Sequence, residues 1–171
     1  MSRLETIRDY RRTIYSIAEF MIRNKHAVSE FGNALVWSDL EHIPTWLLWD
    51  EGERYKVIMT AGTIFLLPSI RIWIDAKKIQ EVRSLIGDEL FDLILKTTKI
   101  DNYQIKYITL NNIQDSLSAA GSAVIISSSS MRVRPWISRA VPKPKGKLDS
   151  ELAKEIMKHT IFIINQNRFE S

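Results

Sequence analysis

The chain contains no cysteine, and this absence excludes several kinds of chemistry at once. Disulfide bonds, cysteine zinc sites and thiol nucleophiles are ruled out, and the composition suits a reducing compartment. No apolar run approaches the ~20 residues of a membrane-spanning helix. The first residues, MSRLETIRDYRR, are charged where a signal peptide would be apolar. We therefore expect a soluble cytoplasmic protein that does not insert into a membrane.

Residue patterns typical of catalysis and of metal binding are also scarce. The three histidines, His26, His42 and His159, are far apart and have no partner at ligand spacing. The carboxylates within residues 50–53 precede a predicted helix, where they more often complement the helix dipole than act as acid and base. Glycine-rich phosphate loops and nucleophile elbows are missing too. We expect no enzymatic activity, no catalytic residue, no metal and no cofactor.

What is present is the composition of an ordinary folded domain. The chain has 171 residues, of which 45% are hydrophobic and 26% are charged. This length is sufficient for one domain with a substantial core. The net charge of +4 makes the protein mildly basic, so acidic partners are compatible with it but are not established by charge alone.

Apolar residues recur at steps of three and four over much of the chain, which predicts a mainly α-helical domain. The predicted helices in the first hundred residues cover 4–22, 53–67, 76–86 and 88–96. Gly62 lies inside the second of these and costs about 1 kcal/mol relative to alanine, so we expect a second helix to approach closely there. Pro68 is predicted to end that helix or to restart it. Asp75 and Gly87 are predicted to cap the third helix.

The region 103–127 has two interpretations. Residues 103–110 (YQIKYITL) alternate and are rich in β-branched and aromatic side chains, and 122–127 (SAVIIS) is a candidate second strand. These two segments would form a small β hairpin, which would make the domain α+β. Alternatively, Asn112–Ile126 forms a helix that contains Gly121.

The composition changes at residue 127, which divides the chain into three predicted parts. Residues 1–126 are expected to form a helical core domain. Residues 127–148 are rich in serine, proline and basic residues, and are predicted to be an extended linker. Residues 149–171 are predicted to form a C-terminal helix, capped by Asp149, that packs on the same domain.

The basic segment also carries the main candidate binding residues, which are Arg132, Arg134, Trp136 and Arg139. Basic side chains beside an aromatic ring can bind phosphate and stack on a base. The same composition also suits an acidic protein partner, a lipid surface or a plain solvated linker.

Two tryptophans next to the apolar block, Trp46 and Trp49, are further candidates. Most tryptophans of such a block are expected in the core. Any that remains exposed would be a strong interface anchor, because tryptophan is enriched at binding hot spots.

The block from residue 43 to 87 resembles the SctK (YscK-like) family of bacterial type III secretion systems. The resemblance lies in IPTWLL at 43–48, in a helix containing an alanine-glycine pair, and in LPSIRIWIDAKKIQEVRSLIG at 67–87. The positions that match the family are Pro44, Leu47, Arg54, Ala61, Gly62, Ile70, Arg71, Ile74, Leu85 and Gly87.

The resemblance implies a non-enzymatic cytosolic adaptor at the cytoplasmic face of the inner membrane. Such a protein connects the cytoplasmic domain of the ring protein SctD to the pod protein SctQ, which carries SctL and the ATPase. The alternative, from the basic charge alone, is a small nucleic-acid-binding regulator. A third possibility, an enzyme of another type, would require a deep polar pocket with clustered titratable groups.

Overall fold

The computed structural model describes residues 11–19, 37–98, 112–146 and 148–170. Its elements are α1 (11–19), α2 (Trp37–Leu40), a 3-10 helix (Thr45–Leu48), α3 (Glu51–Arg71), α4 (Ala76–Ile86), α5 (Asp88–Thr97), α6 (Ile113–Ser128), α7 (Arg134–Ala140) and α8 (Ser150–Glu170). Within these ranges there is no strand, and the prediction of a mainly α-helical protein is confirmed.

Short polar side chains mark the beginning of four of the longer helices. Asp50, Asp75 and Asn112 accept backbone N–H groups from the first turns of α3, α4 and α6. Asp149 accepts two such bonds at the start of α8. Gly87 lies between α4 and α5 with a φ of 95°, which favours glycine. The predicted caps at Asp75, Gly87 and Asp149 are therefore confirmed.

Helices α3 and α6 cross at a pair of glycines in the centre of the molecule. A Cβ atom on Gly62 would lie 2.0 Å from the carbonyl oxygen of Leu117, and one on Gly121 would lie 1.9 Å from the carbonyl oxygen of Ile58. Gly62 lies against Leu117, and Ile58, one turn earlier in α3, lies against Gly121, one turn later in α6. The two helices are therefore antiparallel. The predicted close approach at Gly62 is confirmed, and α6 is the helix that makes it.

The prediction that Pro68 ends its helix is wrong, because α3 continues to Arg71. Proline lacks an N–H group, so the helix loses one hydrogen bond at this position. Leu67 and Ile70 are buried in the last turn, and their burial favours continuing the helix. Tertiary packing therefore outweighs the local cost.

The strand predicted at 122–127 is also wrong, since these residues belong to α6. Every residue from 119 to 125 is buried, so this part of the helix is enclosed on all sides. A helix enclosed in this way lacks the amphipathic pattern that distinguishes it from a buried strand. The helical alternative for Asn112–Ile126 is correct, and the other candidate strand, 103–110, lies outside the described residues.

The segment 127–148, predicted to be extended, contains helix α7. Pro135 occupies its first turn, where a missing N–H is tolerated. Val133, Ile137 and Val141 are buried at a spacing of four residues. The extended prediction is wrong for 134–140, because this apolar stripe packs against the rest of the protein.

In the part of the chain that the structure describes, the core forms two clusters at opposite ends of the α3 and α6 pair, and α8 contributes to both. The first cluster includes residues of α4 and α5. The second cluster joins the 3-10 helix and α7 to the beginning of α3 and the end of α6. Its buried members are Ile17, Ile43, Trp46, Leu47, Val57, Ile58, Ile125, Val133, Ile137, Val141 and Ile164.

Polar contacts hold α4 and α5 in place at the first cluster. Arg83 forms ion pairs with Asp88 at 3.1 Å and with Asp92 at 2.7 Å. The hydrogen bond to Asp88, with support from Asp92, raises the pKa of the Arg83 guanidinium above its ordinary value. The imidazole Nε2 of His159, on α8, lies 3.2 Å from the carbonyl oxygen of Thr97. These contacts join α4 to α5 and α5 to α8.

Candidate functional site

A groove with a volume of about 970 Å³ opens at the second cluster, between the 3-10 helix, the end of α6 and one side of α8. We call it the α8 groove. It is lined by His42, Pro44, Thr45, Trp46, Trp49, Ser128, Ser129, Ser130, Met131, Arg134, Ser150, Lys154, Met157, Lys158, Ile161 and Asn165.

The wall formed by α8 determines the length of the groove. Its lining residues, from Ser150 to Asn165, follow one another mainly at steps of three and four, so they form one stripe along the helix. Fifteen residue steps at 1.5 Å per residue give a length of about 22 Å. The groove is therefore elongated along the axis of α8.

The opposite wall is built on the 3-10 helix. Pro44 precedes this helix in an extended conformation, and the N–H of Trp49 closes it by donating to the carbonyl oxygen of Trp46 at 3.1 Å. Trp46 is only 3% exposed and belongs to the second core cluster, whereas Trp49 is half-buried. One tryptophan therefore anchors this wall in the core, and the other gives it an accessible aromatic surface.

The end of α6 closes the groove between these two walls. The Nη2 atom of Arg134 donates to the carbonyl oxygen of Ser129 at 3.0 Å, and also lies 3.5 Å from that of Ser127. The hydroxyls of Ser128 and Ser129 donate to the carbonyl oxygen of Ile125 at 2.9 and 2.6 Å. The serine run and Arg134 thus satisfy the free carbonyl groups at the end of the helix. This bonding contradicts the interpretation of the serines as part of an extended linker.

The charge of the groove is positive. Of the sixteen described residues that line it, three (Arg134, Lys154 and Lys158) carry a positive charge and none carries a carboxylate. Lys154 forms an ion pair at 2.7 Å with Glu151, which lies just outside the lining, and both side chains are largely exposed. Such a pair is weak in water, so it offsets little of the positive field.

Three of the six binding residues predicted from the sequence line this groove, namely Trp46, Trp49 and Arg134. Arg134 is more than 80 residues away from the two tryptophans in the chain. Trp46 contributes from the core and is not an exposed anchor. Arg134 has a structural role at the end of α6 in addition to its place in the groove.

The other three predicted residues lie outside the groove. Arg132 pairs through Nε with the carboxylate of Asp39 at 3.1 Å, and the Asp39 side chain is only 4% exposed. Trp136 is half-buried and packs against the second core cluster. Arg139 is exposed in the last turn of α7. The basic segment is therefore divided between structural contacts and open surface.

Sequence reasoning missed most of the α8 wall. None of Lys154, Met157, Lys158 and Ile161 is among the binding residues predicted from the sequence. A signal was present, because these four residues form a mixed apolar and basic stripe beside the buried stripe of Ile156 and Ile163. Met131, which is 82% exposed at the groove, was also missed.

Among the residues that the structure describes, no group of His, Asp or Glu could hold a metal ion. In the same part of the chain, no helix is both long and apolar enough to cross a membrane.

The chain matches no protein-family model, no curated protein and no solved structure. The function is therefore inferred from the residues of the groove and from the resemblance of the block 43–87.

Proposed function

We propose that the protein is a non-enzymatic cytosolic adaptor that holds a segment of a partner protein in the α8 groove. The observation that carries this proposal is the groove itself, an open channel about 22 Å long by the helical rise, with apolar and basic walls. A channel of this shape accommodates a stretch of polypeptide along α8.

The lining of the groove has the composition expected of a protein-docking surface. Trp49, Met131, Met157 and Ile161 offer apolar surface. Tryptophan, methionine and arginine are enriched at the centres of protein interfaces. Unbranched methionine side chains adapt to the shape of the partner. The groove can therefore bury apolar side chains of a partner and bind its acidic groups through the basic residues.

The identity of the partners rests on the resemblance to the SctK family. We propose that the protein links the cytoplasmic domain of an SctD-like ring protein to an SctQ-like pod protein, beneath the inner membrane. Pro44 lies within the resembling block and forms part of the groove, while Leu47 and Gly62 are buried. The block thus contributes both to the core and to one wall of the site. Two weak contacts in one adaptor would reinforce each other through effective concentration.

The test is a titration of the full chain with the SctD-like cytoplasmic domain and with the SctQ-like protein of the same bacterium, by isothermal calorimetry. Met131→Glu is the principal variant, because Met131 is 82% exposed and its replacement should not disturb the fold. Phe162→Glu is the matched control, since Phe162 is a 51% exposed residue of α8 outside the groove. We expect Met131→Glu to weaken the binding of one partner by about tenfold or more. The control variant should change that affinity by less than about twofold.

The possible outcomes separate the two parts of the proposal. If neither protein binds the unaltered chain, the assignment of these partners is wrong. If one binds but is insensitive to both Met131→Glu and Trp49→Ala, the partner is right and the groove is not its site.

Nucleic-acid binding is the second candidate, because three cationic side chains line the same groove as the Trp49 indole, with no carboxylate among the described lining residues. Phosphates would contact the basic residues and one base would stack on the ring. This function predicts that labelled single-stranded DNA binds the protein and that its affinity falls steeply between low and physiological salt. Fluorescence anisotropy of a labelled oligonucleotide at several salt concentrations measures both quantities.

A further inference from the structure

We infer that the segment held in the α8 groove is acidic, with carboxylates among its apolar side chains. This inference rests on the proposed docking function and names the chemistry of the partner at the same site. It follows from the charge of the lining and from its apolar residues, and two buried donor groups of the lining residues are consistent with it.

Two of the three cations that line the groove have no carboxylate partner among the described residues. Arg134 and Lys158 line it without an ion pair to any carboxylate of the described residues, and Lys158 is exposed. Lys154 has only the exposed Glu151 as its partner. A segment that brings carboxylates would therefore find two cations available, and the interaction would form without displacing an existing ion pair. A basic segment would meet repulsion from all three.

Two buried hydrogen-bond donors belong to the same lining. The indole Nε1 of Trp46 and the guanidinium Nε of Arg134 are shielded from solvent, and neither has an acceptor within the described ranges. A buried donor without an acceptor is costly. Both of these groups are donors, so an acceptor oxygen is the partner that would satisfy them. Carboxylate and peptide carbonyl groups are such acceptors.

The apolar wall favours a peptide over a nucleic acid. Met131, Met157 and Ile161 offer aliphatic and thioether surface, and Trp49 is the one half-buried aromatic ring of the lining. Binding of successive bases usually employs several aromatic rings. An extended peptide of about six or seven residues spans the length of the groove, at 3.3–3.6 Å per residue. Acidic and apolar side chains of such a peptide would meet the basic and the apolar residues of the groove.

The experiment is a phage-display selection of random peptides, each of about twelve residues to exceed the length of the groove, on the immobilised full chain. The peptides that are enriched are then synthesised and titrated. We expect acidic, apolar peptides whose affinity falls by about threefold to fivefold in Lys158→Gln, and by a similar factor when their own glutamates are replaced by glutamine. Lys77→Gln, which removes the same charge from α4 outside the groove, should change affinity by less than about twofold. Lys158 is preferred to Arg134 for this test because Arg134 also stabilises the end of α6.

The other outcomes overturn the inference in distinguishable ways. Enriched peptides that are neutral or basic but are weakened by Met131→Glu would leave the docking groove intact and refute its acidic preference. Peptides insensitive to both Met131→Glu and Trp49→Ala, or no enrichment at all, would refute the inference together with the groove as a peptide site. Displacement of a bound peptide by single-stranded DNA, with tighter binding of the DNA, would assign the basic groove to nucleic acid.

Discussion

Replacing Gly62 with alanine should destabilise the protein strongly, because the new Cβ atom would meet backbone and not a movable side chain. It would lie 2.0 Å from the carbonyl oxygen of Leu117 and 2.8 Å from the carbonyl carbon, whereas ordinary contacts begin at 3.4 Å. Relieving the shorter contact requires α3 and α6 to separate locally by about 1.4 Å, the difference between 3.4 and 2.0 Å. That movement would loosen the centre of the core.

The change in the free energy of unfolding is the cost of overpacking the core minus the gain in helix propensity. Overpacking a core costs typically 1–3 kcal/mol, and occasionally more. A clash with backbone belongs at the upper end of this range, about 3 kcal/mol, because no rotamer change can relieve it. Alanine recovers about 1 kcal/mol of helix propensity. The expected net loss is therefore about 2 kcal/mol or more in the free energy of unfolding.

Urea denaturation followed by far-UV circular dichroism measures this loss. Gly121→Ala should be similarly destabilising, since its Cβ atom would lie 1.9 Å from the carbonyl oxygen of Ile58. The double variant should lose less than the sum, because the first methyl group already separates the helices. Gly52→Ala is the matched control: its Cβ atom meets only a side-chain oxygen of Asp50 at 3.3 Å. If Gly62→Ala unfolds at the same urea concentration as the unaltered protein, the proposed backbone contact is wrong.

Two further predictions concern the ends of the central helices. Pro68→Ala should raise the free energy of unfolding by about 1 kcal/mol, less than the interior penalty of about 3 kcal/mol because the position is in the last turn of α3. A thermal melt measures the change, and a lower midpoint would mean that packing of the proline ring matters more than the missing hydrogen bond. Asn112→Ala should cost about 1 kcal/mol, because it removes the acceptor that caps α6. Urea titration tests this, and an unchanged midpoint would show that the cap is dispensable.

Features that depend on neighbours in the chain were predictable. The cap at Asp75 involves a side chain and an amide two residues later, so its whole geometry is contained in a short stretch of sequence. Gly87 needs only a local backbone conformation that other residues avoid. Gly62 was informative because its cost inside a helix has to be offset by a contact, and that contact is now seen to be α6.

Features that depend on burial were predicted less well. Pro68 has a known local penalty, but whether the helix continues depends on the burial of Leu67 and Ile70, which is a property of the tertiary structure. Residues 122–127 are compatible with a strand or with an enclosed helix until their neighbours are known. The proline and serine residues of this segment favoured a linker over helix α7, although the four-residue spacing of Val133 and Ile137 indicated a helix.

The candidate site combines both kinds of information. The aromatic and basic character of Trp49 and Arg134 was evident from the sequence, because it belongs to the side chains themselves. Their position in one groove depends on how the 3-10 helix and the end of α6 meet α8. The role of Lys158 in that groove could not be predicted, since any exposed lysine of an amphipathic helix has the same local pattern.

By itself, the sequence determined the mainly helical class, the caps at Asp75, Gly87 and Asp149 and the need for a close helix contact at Gly62, because these follow from periodicity and from interactions within one or two turns. Only the tertiary structure decided that α3 continues through Pro68, that α6 is enclosed and that α7 is folded. The tertiary structure alone brings Trp46, Arg134 and the mixed apolar and basic stripe of α8 together around one groove. The physical reason is that burial and long-range contact depend on which surfaces of distant segments meet, and the order of residues within a segment does not contain that information.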